Sequence, residues 1–291
     1  MIEIKRLTKA FDKVVAVDNL SVSFDKGVNG LVGENGAGKS TLLRLISDVY
    51  DKDKGEIMID DRDHTDLKAK ESVFFLPDNP YAPNNFTIKQ VFDLYDSLFK
   101  LDRDRFAAMM VKLSLPLHRR VGTFSKGMRR QFFISIALSA KAKYVLLDEA
   151  FDGLDPIVLD TIREEIIKDA DEKTYIVSSH NIASLEKLCD RFIVLSKGKA
   201  VNNVNIQDIG TKYVKYQILT KPALTEKDLV KLGVNVVLFK KLGSIRSVVT
   251  TKEVNEEIFK KDYEVLLFEN RDIEQEELIT LEMLNSRKEN D

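Results

Sequence analysis

Two stretches of this chain carry residue types and spacings that do chemistry. Gly33-Glu34-Asn35-Gly36-Ala37-Gly38-Lys39-Ser40-Thr41 fits the pattern G-x-x-x-x-G-K-[ST]. Gly33, Gly36 and Gly38 let the backbone turn tightly and bring its N–H groups against phosphate oxygens. Lys39 places a positive charge near β- and γ-phosphates, and the Ser40 hydroxyl can hold Mg²⁺. The second stretch, Tyr144-Val145-Leu146-Leu147-Asp148-Glu149, is an apolar run that ends in two carboxylates. Such a run is what a magnesium–nucleotide site needs. Asp148 holds the metal directly or through water, and Glu149 polarises an attacking water as general base. An acidic turn after a buried strand is common, so the second stretch gains its meaning from the first.

The flanking pattern supplies the elements that position these groups. Gly27–Val32 reads as a short buried strand, and Ser40–Ser47, with Leu42, Leu43, Leu45 and Ile46, as a helix. That helix aims the positive end of its dipole at the phosphates. Residues 2–8 and 20–24 alternate like strands, and 55–60 and 72–77 add two more, the last stopped by Pro77. Together they suggest a small antiparallel sheet leading into the phosphate site. After the Asn- and Pro-rich loop 78–86, Thr87 is positioned to cap a helix through Lys100, and helices over 102–113 and 125–140 follow. The block 85–140 therefore reads as a helical insertion in an α/β domain. Strands 144–147, 174–177 and 192–195 and helices 155–169 and 182–190 resume the α/β alternation, the last strand ending at Gly198.

Past about residue 210 the order is β-α-β-β-α-β, with helices over 225–232 and 253–260. It is compatible with a split βαβ unit, closed by a helix over 273–283 and a charged tail. The expected division is a nucleotide-binding domain, 1–210, and an accessory α+β domain, 211–291.

Composition narrows the classes. The chain has 291 residues, 44% of them hydrophobic, and a formal net charge of −2, which does not favour nucleic acid as a partner. A single cysteine, Cys189, excludes an intramolecular disulfide and reads as a small core residue in a reducing compartment. No apolar run approaches the roughly 20 residues needed to span a bilayer, and the first residues lack a signal-peptide core. The expectation is a cytosolic chain whose membrane role comes through a partner. His64 and His118 read as surface residues.

A third stretch decides the family. Phe124-Ser125-Lys126-Gly127-Met128-Arg129-Arg130-Gln131, upstream of the acidic strand, resembles the signature motif of ATP-binding-cassette (ABC) ATPases in a variant seen in exporter subunits. Gly153-Leu154-Asp155 resembles the loop that touches the opposite subunit. His180, in Val177-Ser178-Ser179-His180, resembles the switch histidine at the γ-phosphate, although a histidine at a strand end is commonly structural. Phe11 stands where the family stacks an aromatic on adenine, with a core role as the bland alternative. Asp78 stands where the family carries Gln, a ligand to Mg²⁺ and the lytic water. An aspartate can still bind metal, but it adds negative charge beside the γ-phosphate.

The resemblance covers residues 1–210. It implies a P-loop ABC core of mixed sheet, antiparallel β subdomain and helical subdomain, and two copies closing around two Mg-ATP molecules. Each site would combine one copy's Lys39, Ser40, Asp148, Glu149 and His180 with Ser125 and Gly127 of the other. It also implies a separate membrane-spanning permease at the cytoplasmic face, gripped by the region around 78–100 with Tyr81 and Phe86 exposed. Two alternatives stay open: a soluble cassette ATPase with no membrane partner, and a nucleotide-responsive module that scarcely hydrolyses, the latter motivated by Asp78.

Overall fold

The computed structural model describes residues 1–182, 185, 188, 189, 191–205, 212–274, 277, 278, 280 and 281. The chain divides into two compact units, Met1–Asn203 and Val204–Asp291.

Alternating apolar residues build the first unit's antiparallel sheet. Strands β1 (Ile2–Phe11), β2 (Val14–Phe24), β4 (Lys54–Ile59) and β5 (Arg62–Asp63) lie in the order β2-β1-β4-β5. Both β1 and β2 run longer than the alternation indicated, and Phe11 is the last residue of β1. The inward residues Ile2, Ile4, Leu7, Leu20, Phe24, Ile57 and Ile59 are buried in one core with Leu42, Leu43, Leu45 and Ile46 of α1 (Lys39–Ile46).

The second sheet has six strands in the order β10-β9-β3-β8-β7-β6. Its members are β3 (Gly27–Val32), β6 (Val73–Leu76), β7 (Tyr144–Asp148), β8 (Thr174–Ser179), β9 (Arg191–Ser196) and β10 (Lys199–Asn205). Pairs β3–β8, β3–β9, β6–β7 and β7–β8 are parallel. Every residue of β7 and β8 is buried, as expected of parallel strands covered on both faces. Lys197 and Gly198, at φ 47° and 80°, form the tight turn that closes β9 and leads into β10.

Between β4 and β6 stands the short helix α2 (Leu67–Glu71), capped by Asp66. The helical insertion comprises α3 (Ile88–Phe99), α4 (Arg103–Lys112) and α5 (Lys126–Ser139). Thr87 and Gln90 form a capping box at the head of α3. Helix α6 (Pro156–Ile167) is capped by Asp155, whose carboxylate accepts the Ile157 N–H at 2.9 Å. Two expectations, on His64 and Phe86, need correction. His64 lies in the polar run Asp60–Asp66 yet is buried, 1% exposed, because its backbone N–H pairs with Ile57 O and draws the ring inward beside Asp48. Phe86 is half-buried, its backbone carbonyl pairing with the Val121 N–H, whereas Tyr81 is 73% exposed. His118 is exposed.

The second unit contains β11 (Val214–Lys221), α7 (Glu226–Lys231), β12 (Val236–Leu242), β13 (Ile245–Thr250) and β14 (Glu264–Arg271). The strand order β12-β13-β11-β14, antiparallel throughout, is that of a split βαβ unit. The helix expected over 253–260 is only a single 3₁₀ turn, Glu256–Ile258. Asn255 caps at 255, the Phe259 N–H turns back to Glu256 O, and β14 must start at 264, so no room remains for a longer helix. The helices expected over 182–190 and 273–283, and the tail, lie wholly or largely outside the described residues.

Candidate nucleotide site

Four of the parallel strands deliver the candidate residues to one edge of the sheet. The glycine loop follows β3, Asp148 ends β7 with Glu149 just after it, His180 follows β8 and Asp78 follows β6. Ligand crevices in open α/β sheets form at this carboxyl edge.

The loop holds its shape through glycines that other residues could not replace. Gly36 and Gly38 sit at φ 82° and 104°, and a Cβ on Gly38 would fall 2.3 Å from Ala16 O. Lys39 is buried, and its ammonium donates to Gly33 O at 2.8 Å and Glu34 O at 3.2 Å, inside its own loop. Burial pulls this ammonium below the usual lysine value, against the opposing pull of Glu149 and Asp148. Its nitrogen lies 3.8 Å from Glu149 Oε1.

Asp148 is fully buried. Its Oδ1 accepts the Ser40 hydroxyl at 2.9 Å and the Ser178 hydroxyl at 2.7 Å. Its Oδ2 has no hydrogen-bond partner, with an Arg44 guanidinium nitrogen 3.9 Å away. A buried carboxylate oxygen left unpaired costs free energy unless something else takes it up. A hydroxyl and a carboxylate suit a hard divalent cation such as Mg²⁺, so the residues fit that metal.

Glu149 occupies the left-handed region, φ 47°, which costs a non-glycine residue about 1 kcal/mol. Ser178 holds it there: the Glu149 N–H donates to Ser178 O at 3.2 Å and to Ser178 Oγ at 2.9 Å. His180 is 46% exposed, with Nδ1 3.2 Å from Asp152 Oδ2 and 3.8 Å from Glu149 Oε2. One ligand atom from each of Glu149, Asp152 and His180 lies within 4.8 Å of the others.

The remaining candidates stand around this cluster. Asn35 and Thr41 belong to the loop and the first turn of α1, and Ala37 is buried beneath the loop. Phe11 is 41% exposed, edge-on to Tyr50 with ring centroids 5.4 Å apart. Asp78 is 56% exposed and lies 3.6 Å from Arg44, which stands between it and Asp148. Ser125 caps α5, its Oγ accepting the Met128 N–H at 3.2 Å. A Cβ built on Gly127 meets only Ser125 Oγ, at 4.0 Å, so the flank of that helix start is open. Asp155 caps α6 beyond Gly153, at φ 70°.

Comparison with known proteins places this geometry. The family model described as "ABC transporter" matches residues 17–152. The ABC transporter ATP-binding protein NatA of Bacillus subtilis is 33% identical over 201 residues, covering 65% of this chain and 81% of NatA. YhcH of the same organism, an uncharacterized ABC transporter ATP-binding protein, is 30% identical over 217 residues, covering 72% of this chain and 71% of YhcH. The chain belongs to the ABC transporter ATP-binding proteins. A solved ATP-binding subunit of an ABC transporter superposes on this cassette with a TM-score of 0.66 at 23% identity, covering 72% of this chain and 91% of that one. A Pyrococcus furiosus protein described as a putative ABC transporter ATP-binding protein gives 0.57 at 27% identity, covering 67% and 96%.

Three groups in the cassette's site were not singled out from the sequence. Ser178 stood in the quoted string ahead of His180, where its pairing across to β7 had no signal. Asp152 lay between the acidic strand and Gly153, where a carboxylate reads as an ordinary turn residue. Arg44 faces the site from the last turn of α1, a position that reads as helix-terminal charge complementation.

Proposed function

We propose that this chain is the ATP-binding and ATP-hydrolysing subunit of an ABC exporter, working as a homodimer on a separate membrane-spanning partner at the cytoplasmic face. The nucleotide-binding domain is assigned to residues 1–210 and the accessory domain to 211–291. The observation that carries the reading is the convergence of Lys39, Ser40, Asp148 and Glu149 at one sheet edge. Among the described residues no helix is long and apolar enough to cross a membrane, so the spanning element is assigned to the partner. The exporter assignment rests on the Ser125-Lys126-Gly127-Met128 variant of the signature motif.

Each residue has a defined task. Lys39 exchanges a loop carbonyl for a phosphate oxygen, and the N–H groups from Gly33 to Thr41 cradle the rest of the chain of phosphates. Ser40 and Asp148 would hold Mg²⁺, which supplies charge neutralisation on the phosphates when bound. Glu149 takes a proton from the attacking water, and His180 donates toward the γ-phosphate. Ser125 and Gly127, with their open flank, serve the nucleotide held by the second copy, and Asp155 lies in the loop that meets that copy. Phe11 stacks on the adenine ring. Nucleotide that makes contacts only in the closed pair stabilises that pair by linkage.

The test is Glu149→Gln, which removes the base and keeps the side chain's size. Light scattering at millimolar ATP and Mg²⁺ is expected to show a stable dimer, and a phosphate-release assay a loss of turnover against the unaltered chain. A monomer under these conditions overturns the shared-site mechanism.

A further inference from the structure

His180 is the more exposed partner of a pair whose other member is fixed. Asp152 is only 18% exposed, and it is held from several sides. Its Oδ1 accepts the Ser179 hydroxyl at 3.1 Å. Its main-chain carbonyl accepts the Arg130 guanidinium from α5, and its N–H donates to Glu149 O at 3.3 Å. The free face of this carboxylate, Oδ2, is the atom that meets His180 Nδ1 at 3.2 Å. The imidazole also borders a cavity of about 420 Å³ lined by Gly153, Leu154, Asp160 and Asn181.

We propose that Asp152 is a positioning residue for His180, fixing the ring through Nδ1 so that Nε2 is presented to the substrate, and keeping the ring off Glu149. The proposal rests on the ATPase reading above, since it assigns His180 its work at the phosphate.

Two physical arguments support it. An imidazole turns about χ2 at little cost, and the nitrogen left to react is set by the bond the other nitrogen makes. A carboxylate on Nδ1 fixes the ring through Nδ1–H and points Nε2 away, and Nε2, when it also carries a proton, donates to a phosphate oxygen. Second, the next carboxylate oxygen is Glu149 Oε2, 3.8 Å from the same nitrogen. Without Asp152 the carboxylate left beside the ring is that of the candidate base itself, and a base engaged by an imidazole is poorly placed to take a proton from water. Asp152 therefore separates two groups whose tasks conflict.

The experiment uses the full chain with Asp152→Ala and Asp152→Asn, the carboxamide keeping an acceptor oxygen for Nδ1–H. The sequence holds only three histidines, so imidazole ¹⁵N spectra are assignable with a His180→Gln reference. Asp152→Ala is expected to move the His180 Nδ1 resonance and to lower kcat about tenfold, with KM for ATP within about twofold. Asp152→Asn is expected to recover most of kcat. A His180 spectrum unmoved by Asp152→Ala, in a wild-type chain that does release phosphate, overturns the pairing and leaves the ATPase reading intact. Equal losses in Ala and Asn overturn it too. A wild-type chain that releases no phosphate from Mg-ATP overturns the ATPase reading and the proposal with it.

Discussion

The Ser178 hydroxyl donates to Asp148 Oδ1 at 2.7 Å, and Ser178 also receives the Glu149 N–H. One residue on β8 thus sets both carboxylates at the end of β7, the candidate metal ligand by its hydroxyl hydrogen and the candidate base by its oxygens. The strand register makes this possible, since Asp148 and Ser178 are paired residues. Ser178→Ala takes away one of the two donors to Asp148 Oδ1 and one acceptor of the strained Glu149 N–H. A loss of about 1–2 kcal/mol in stability is expected. The Mg²⁺ concentration at half-maximal phosphate release is expected to rise several-fold. Thermal melts and a Mg²⁺ titration at fixed ATP check both, and an unchanged Mg²⁺ midpoint would falsify the assigned role.

Arg44 bears on the same metal position. Its guanidinium lies 3.9 Å from the unpaired Asp148 Oδ2 and 3.6 Å from Asp78. A guanidinium and a divalent cation beside one carboxylate oxygen compete by charge. Arg44→Gln is therefore expected to lower the Mg²⁺ midpoint, by a factor of about two to ten. Adding Asp78→Asn to Arg44→Gln is expected to reverse part of the gain, because a negative charge near the cation is lost. Isothermal titration of Mg²⁺ with a non-hydrolysable ATP analogue reads this without turnover. A midpoint raised by Arg44→Gln would show that the guanidinium assists the metal rather than opposing it.

What could be read in the sequence was whatever repeats along it or binds by backbone. The glycine loop, the apolar β7 ending in Asp148-Glu149 and the Thr87 cap are local patterns, and the structure holds each at its expected place. The succession of strands along the second unit followed from alternation and turn spacing. What escaped were relations across strands and loops. Ser178 and Asp148 meet only through register, and Asp152, in a turn closed on Glu149 O, meets His180 from a different loop. Composition misled at His64. Four acidic or basic neighbours mark a surface turn, yet the turn folds back on β4 and carries the imidazole inside. The 3₁₀ turn at Glu256–Ile258 escaped for a different reason. Helical spacing of apolar residues does not reveal that a cap and a strand start leave space for a single turn.

The buried His64 gives the folded chain a pH dependence whose sign can be worked out. Burial, with Lys52 adding to it, holds its imidazole below the ordinary histidine value of 6.5, while Asp63 and Asp48 pull the other way without prevailing. The unfolded chain therefore binds a proton at this residue near pH 6.5 that the folded chain refuses. Stability rises with pH wherever the unfolded state holds more protons, so this contribution is present above pH 6.5 and is lost as pH falls below it. The slope from one such group is at most about 1.4 kcal/mol per pH unit. His64→Gln removes the titration while keeping a polar side chain, so the variant's melting temperature is expected to fall less than the wild type's between pH 7.5 and about 5.5. The rest of the chain is the same in both proteins, so the difference between the two curves isolates His64. Calorimetric melts of both across that range decide it, and parallel curves would show that the imidazole accepts its proton inside the fold.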